Sequence, residues 1–195
     1  LVRSRGLGDV YKRQEYYKGI FTTLSSCASR QLEEVTFRRA TISVPELMAT
    51  AGKYFRKVYK GNKAHIDFKI QLLEGRITGD WNQLRFLLEN LIDEACSVTL
   101  DGAVCLSARE DGEFIRFLFT DMRREKTREE LNQLFYPDLS RMTAGEKGEL
   151  YGTEYLVCKQ IIRDHDEFAG RRGCRINAEP GKEGGFTIYF TLPKK

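Results

Sequence analysis

The chain is poor in the residues that build metal centres, disulfide frameworks and hydrolytic sites. Its two histidines, His65 and His165, are too few for a histidine-rich metal site. Neither sits in a recognisable nucleophile motif, so a hydrolase triad has no support. The five cysteines (Cys27, Cys96, Cys105, Cys158, Cys174) are odd in number and form no CxxC pair. They read as reduced, buried thiols. No apolar run approaches the roughly 18–20 residues of a membrane-spanning helix, and the N-terminus shows no apolar secretory core, which makes the cytoplasm the expected compartment. A basic face is also lacking. The net charge of +4 is concentrated in residues 1–14, which hold Arg3, Arg5, Lys12 and Arg13 against Asp9. The remaining 28 basic and 27 acidic residues nearly cancel, which removes the electrostatic case for nucleic-acid binding. Residues 1–14 resemble translated sequencing-adapter read-through and are set aside as a leader; the natural protein is expected to continue upstream of Glu15.

What is present is a 195-residue chain, 41% hydrophobic and 11% aromatic, enough for one domain with a helical arm. Tyr17, Ile20, Phe21, Leu24, Cys27, Ala28, Leu32 and Val35 recur at helical spacing and predict an amphipathic helix, packed on its own domain or on a second copy. A short strand at 41–44 precedes a helix opened by Ser43 and Pro45, which runs to near Gly61 with Leu47, Met48, Ala51, Tyr54, Phe55 and Val58 inward. Ile66, Phe68, Ile70 and Leu72 alternate and predict one inward face of a half-buried strand. A strand at 76–78 leads to Gly79-Asp80, where Asp80 can cap a helix that runs to about Ser97. Strands at 103–109 and 113–120 follow, then a short helix at 127–136, a polar loop at 137–150, a helix at 151–164 and a closing hairpin at 174–178 and 186–192, joined by the turn Pro180-Gly181-Lys182-Glu183-Gly184-Gly185. This order predicts a two-layer α/β sandwich, a mixed and mostly antiparallel sheet with helices on one face. The expected division is a leader over 1–14, a helical arm over 15–40 and the α/β domain over 41–195.

Five segments in order carry a family resemblance: SRQLEE (29–34) leading to ISVPEL (42–47), GDWNQLRFLLENLIDEA (79–95), FLFTD (117–121), YGTEYLVCKQIIRDH (151–165) and GGFTIYFTLP (184–193). Together they resemble the ATP-binding domain of sensor histidine kinases, the GHKL or Bergerat fold shared with gyrase B, Hsp90 and MutL. The resemblance implies a nucleotide site with ATP and Mg²⁺ as cofactors if it is functional. Asn90 and Glu94 stand where the family has two asparagines of its asparagine box, the second of which holds the metal. The other reading is that Asn90, Asp93 and Glu94 are a solvated helix face. Asp121 stands where an aspartate accepts the adenine amino group, or it is a strand-end residue in a turn. Gly152 is the one glycine kept from the phosphate-binding box.

The departures from the family pattern are as informative as the matches. Arg123 and Glu125 replace glycines after Asp121, Ser97 replaces a basic residue, and Tyr151, Glu154 and Tyr155 fill the second glycine box. Large side chains there should crowd a purine and its phosphates. His165 matches a structural histidine at a helix end. No histidine lies between Glu15 and Phe37, so a phosphoacceptor would have to come from outside this chain. The resemblance implies the ATPase-like domain of a larger bacterial signalling protein, with a degenerate nucleotide site and a relay or scaffold role, or alternatively an active divergent kinase domain phosphorylating a histidine elsewhere. It further implies a homodimer through the N-terminal helix, a response regulator as partner, and a cytoplasmic setting, free or as the cytosolic part of a membrane-attached sensor; the charge balance and the lack of long apolar runs add the expectation of no nucleic acid and no membrane contact by this segment.

Overall fold

The computed structural model describes residues 37–60, 64–136 and 153–195. The arm helix, the 137–150 loop and Gly152 lie outside these residues. Strand β1 (Ala40–Ser43) leads into helix α1 (Val44–Tyr59), whose N-terminus is capped by Ser43 Oγ accepting from the Glu46 N–H, with Pro45 in the first turn. Next come β2 (Ile66–Gln71), β3 (Arg76–Gly79) and helix α2 (Trp81–Ser97). Strands β4 (Gly102–Asp111) and β5 (Phe114–Asp121) form a hairpin. Helix α3 (Arg128–Gln133) is closed by a Thr127–Glu130 capping box. Helix α4 (Thr153–Phe168) precedes β6 (Ile176–Pro180) and β7 (Phe186–Pro193).

The main sheet has the order β2-β4-β5-β7-β6. Only β2 and β4 run parallel; α2 lies in the connection between them, and the other pairs are antiparallel. β1 and β3 form a separate antiparallel pair. The fold is the expected two-layer sandwich. Period two decides which side chains of the central strands face the helices: Ile115, Phe117 and Phe119 of β5 are buried, and Phe117 stacks on Phe190 of β7 at 5.0 Å. Asp121 belongs to the same series, so the strand aims its carboxylate at the helical layer. From α2, Leu84, Leu87, Leu88, Leu91, Ile92 and Ala95 are all buried, as their spacing requires.

Two expectations need correction. Leu72 does not share an inward face with Ile66: β2 ends at Gln71, where its ladder with β4 ends, and Leu72 is 61% exposed. Of the four described cysteines only Cys158 is buried, the others being half-buried. Burial still pushes the Cys174 thiol up to about 12, far from a reactive thiolate.

The Gly79-Asp80 turn shows why one histidine matters structurally. Asp80 Oδ1 accepts from the N–H groups of Asn82 and Gln83 and caps α2, while Oδ2 accepts from the Arg38 N–H at 2.7 Å. The Asp80 N–H donates to His165 Nε2 at 3.0 Å. His165 must therefore carry its proton on Nδ1, which donates to the Ile161 carbonyl at 2.7 Å. A Cβ at position 79 would sit 2.9 Å from this ring, so the bare glycine lets α4 close on the turn. Burial holds the His165 pKa below its ordinary 6.5, outweighing the Ile161 carbonyl and the charges of Asp80 and Asp164. The unfolded chain takes up a proton that the folded chain refuses. This contribution to stability is complete above about pH 6.5 and is lost as pH falls through the folded pKa. The urea midpoint is expected to fall between pH 7 and pH 5, and His165→Asn to flatten that fall; an unchanged slope in the variant would remove His165 as its source.

Candidate functional site

The C-terminal half of α2 and the end of β5 meet at the candidate site. Asn90, Asp93 and Glu94 lie three and four residues apart on α2, close enough in sequence to act together. Their side chains nevertheless go three ways. Asn90 Nδ2 donates back to the Phe86 carbonyl of its own helix at 3.0 Å. Both Asp93 oxygens accept from the Tyr54 hydroxyl at 2.9 Å, tying α2 to α1. Burial and the Asp93 carboxylate push the Tyr54 hydroxyl up to about 12. Glu94 accepts two parallel bonds from Arg124, at 2.8 and 2.7 Å. Among the described residues no group of three His, Cys, Asp or Glu side chains could hold a metal ion.

Asp121 is the centre of the cluster. Its carboxylate is fully buried, as is the Arg123 side chain beside it. Oδ1 accepts from the Arg123 backbone N–H at 3.0 Å and from Arg123 Nε at 2.8 Å. Oδ2 accepts from Arg123 Nη2 at 2.8 Å and from Arg124 Nε at 2.9 Å. An ionised carboxylate offers about four lone-pair sites, and all are taken. Burial alone would raise this carboxyl, but the Arg123 bonds and the Arg124 charge outweigh it and hold the pKa below the usual range. Arg123 also donates to the carbonyls of Ala95 and Leu100, closing the C-terminal end of α2. Room for its side chain exists because a Cβ at Gly102 would lie 2.9 Å from Arg123 Cγ. Arg124 is held by Glu94 and Asp121 and lies over the buried Phe186 ring at 5.3 Å, a ring that Lys126 also approaches. Two carboxylates and two guanidiniums make the cluster electrically neutral.

Tyr155, at the start of α4, is buried with its ring edge-on to Phe135 at 5.8 Å. Its hydroxyl makes no hydrogen bond of ordinary geometry among the described residues, though Glu94 lies near enough to act on it. Burial first, and the Glu94 charge next, push its pKa far up. The structure thus brings Glu94 and Asp121 together through Arg124, and leaves Asn90 out. Sequence reasoning treated Arg123 as bulk and gave Arg124 no part. The available signal was a pair of arginines two and three positions after a strand-end aspartate, where a short reach favours bidentate pairing.

This architecture and site define a class, the ATP-binding fold of two-component sensor kinases and their relatives. The family described as histidine kinase-, DNA gyrase B-, and HSP90-like ATPase matches residues 79–195, and the chain belongs to it. The adaptive-response sensory kinase SasA of Thermosynechococcus vestitus is 26% identical over 176 residues, covering 89% of this chain. The chain spans only 44% of that relative's length. Among solved structures, the histidine kinase AdeS of Acinetobacter baumannii has a TM-score of 0.62 at 15% identity, covering 97% of this chain and 82% of AdeS. The histidine kinase ThkA in complex with the response regulator protein TrrA has a TM-score of 0.70 at 17% identity, covering 93% of this chain and 49% of that one. These structural likenesses concern the fold. Among the described residues no helix is long and apolar enough to cross a membrane.

Proposed function

We propose that this is a histidine-kinase-like ATPase domain whose nucleotide site is degenerate, serving a larger bacterial signalling protein as a relay or scaffold. The observation that carries the reading is the saturated carboxylate of Asp121. A purine amino group needs a free acceptor there, and Arg123 and Arg124 occupy every lone pair. The residues present do not fit Mg²⁺-ATP. Glu94, the replacement for a metal-holding asparagine, is committed to Arg124. The neutral cluster offers no positive field for phosphates. Opening the site would require breaking charge-assisted bonds in a buried setting, where each is costly to leave unmade.

On this reading the domain signals by holding a shape. The chain has its arm over 15–40 and its α/β domain over 41–195, with the arm pairing two copies in the full-length protein and a response regulator as the downstream partner. The ThkA–TrrA pairing motivates that last assignment. The setting is cytosolic. The reading of an active divergent kinase would need Arg124 to leave both Glu94 and Asp121.

Calorimetric titration of the whole chain with Mg²⁺-ATP tests the reading. No saturable heat is expected at ligand concentrations up to about 1 mM, the weak end of specific binding. Saturable micromolar binding by the unaltered chain would overturn it.

A further inference from the structure

We propose that the groove between α1 and the edge strand β2 docks an acidic, leucine-bearing polypeptide segment of a partner protein. The groove has a volume of about 230 Å³ and is lined by Ala49, Gly52, Lys53, Arg56, Ile70 and Leu72. Its floor exists because position 52 is glycine: a Cβ there would lie 2.7 Å from Ile70 Cδ1. Its far wall is Leu72, 61% exposed just past the end of β2. An aliphatic side chain of that exposure beside a concave apolar floor offers a partner's leucine apolar surface to bury.

Charge names the chemistry of the occupant. Lys53, Arg56, Lys57 and Lys60 follow one another at positions i, i+3, i+4 and i+7 and form an exposed stripe at the C-terminal end of α1. None of the four is ion-paired with a carboxylate among the described residues. The domain pairs many of its other cations, including Arg116, Arg123, Arg124, Arg171 and Lys194. A stripe of unpaired cations along an apolar groove complements a segment that alternates carboxylates with leucines. β2 is moreover a sheet edge, laddered only with β4 among the described residues; its Ile66 N–H donates to the Tyr59 hydroxyl at 3.4 Å, and the outer backbone groups further along the strand can hold an extended segment in register. None of these residues belongs to the Asp121 cluster, so the groove stands or falls independently of the nucleotide site.

The test is fluorescence anisotropy of the full chain with a fluorescein-labelled peptide, Asp-Leu-Glu-Asp-Leu-Leu-Glu. Saturable binding is expected, weakened about tenfold or more by Leu72→Asp and by the pair Lys53→Glu with Arg56→Glu, each about 1.4 kcal/mol or more. Lys182→Glu, on the β6–β7 turn, should leave binding unchanged. The altered positions are exposed, and a thermal melt confirms that each variant is folded. Three results would overturn the proposal: no binding at about 1 mM protein; binding that high salt abolishes but Leu72→Asp leaves intact, which is charge attraction alone; and failure of the peptide alongside co-sedimentation with phosphatidylserine vesicles or a dimer dissolved by Leu72→Asp, which would assign the face to a lipid surface or a second copy.

Discussion

Asp121→Asn is expected to destabilise the protein by about 3–5 kcal/mol, the cost of removing one partner from a buried ion pair. In a purine-accepting site the same change would abolish ligand binding and leave the fold nearly intact. Here the carboxylate is the counter-charge for Arg123, whose side chain is fully buried, and it shares Arg124 with Glu94. The amide keeps the shape but not the charge, so Arg123 is left with only the carbonyls of Ala95 and Leu100 and a neutral neighbour. At roughly 2–4 °C per kcal/mol for a domain of this size, the melting temperature should fall by about 10 °C. The pH dependence provides a second readout. The folded pKa of Asp121 lies below 3.8, so its stabilisation is present above the unfolded value of about 3.9 and is lost as pH falls through the folded one. Melts of the two proteins should differ at pH 7 and draw together in strong acid. A variant within about 1 kcal/mol of the parent at pH 7, the level of an ordinary surface pair, would mean the cluster does not hold this end of the sheet.

Gly185→Ala is expected to be more severe, above about 4 kcal/mol, because it sets a methyl group against backbone rather than against a yielding side chain. Gly185 has φ +68°, and a Cβ there would overlap the Asp121 carbonyl oxygen and lie 2.6 Å from Met122 Cα. Neither atom can retreat: Asp121 is laddered to Val104 and Phe186, and the Met122 N–H donates to Ala103. Gly184 is the control. Its φ is +98°, but a Cβ there would meet nothing within 4 Å. Gly184→Ala should therefore cost only backbone strain, about 1–3 kcal/mol. Chemical denaturation of the two variants side by side checks the difference; equal losses would show that the close approach at Gly185 is unimportant.

The two glycines show where reading the chain stops. Side by side in GGFTIYFTLP they are equivalent as letters, and both were legible only as part of a turn. Which one carries the close contact depends on how β5 and β7 register, a relation between residues more than sixty positions apart. The same holds for Leu72. Alternation placed it with Ile66, Phe68 and Ile70, since period two continues until something ends it. What ends it is the ladder with β4, whose last pair is Gln71 with Ser107.

Local order along the chain determined a great deal by itself. Apolar spacing of 3.6 and 2 placed the body of α1, α2 and β2, Ser43 and Asp80 announced their caps, and five ordered segments carried the family. Those signals are short-range, and backbone geometry obeys them directly. Only the tertiary structure decided where the charged side chains go. Nothing in the spacing of Asn90, Asp93 and Glu94 says that one turns back on its helix, one pins α1 and one meets an arginine thirty residues on. Nor does it say that Arg123 and Arg124 fold back onto Asp121. Those outcomes depend on which backbones lie within a guanidinium's reach once the sheet has closed, and on the cost of burying any of these charges unpaired.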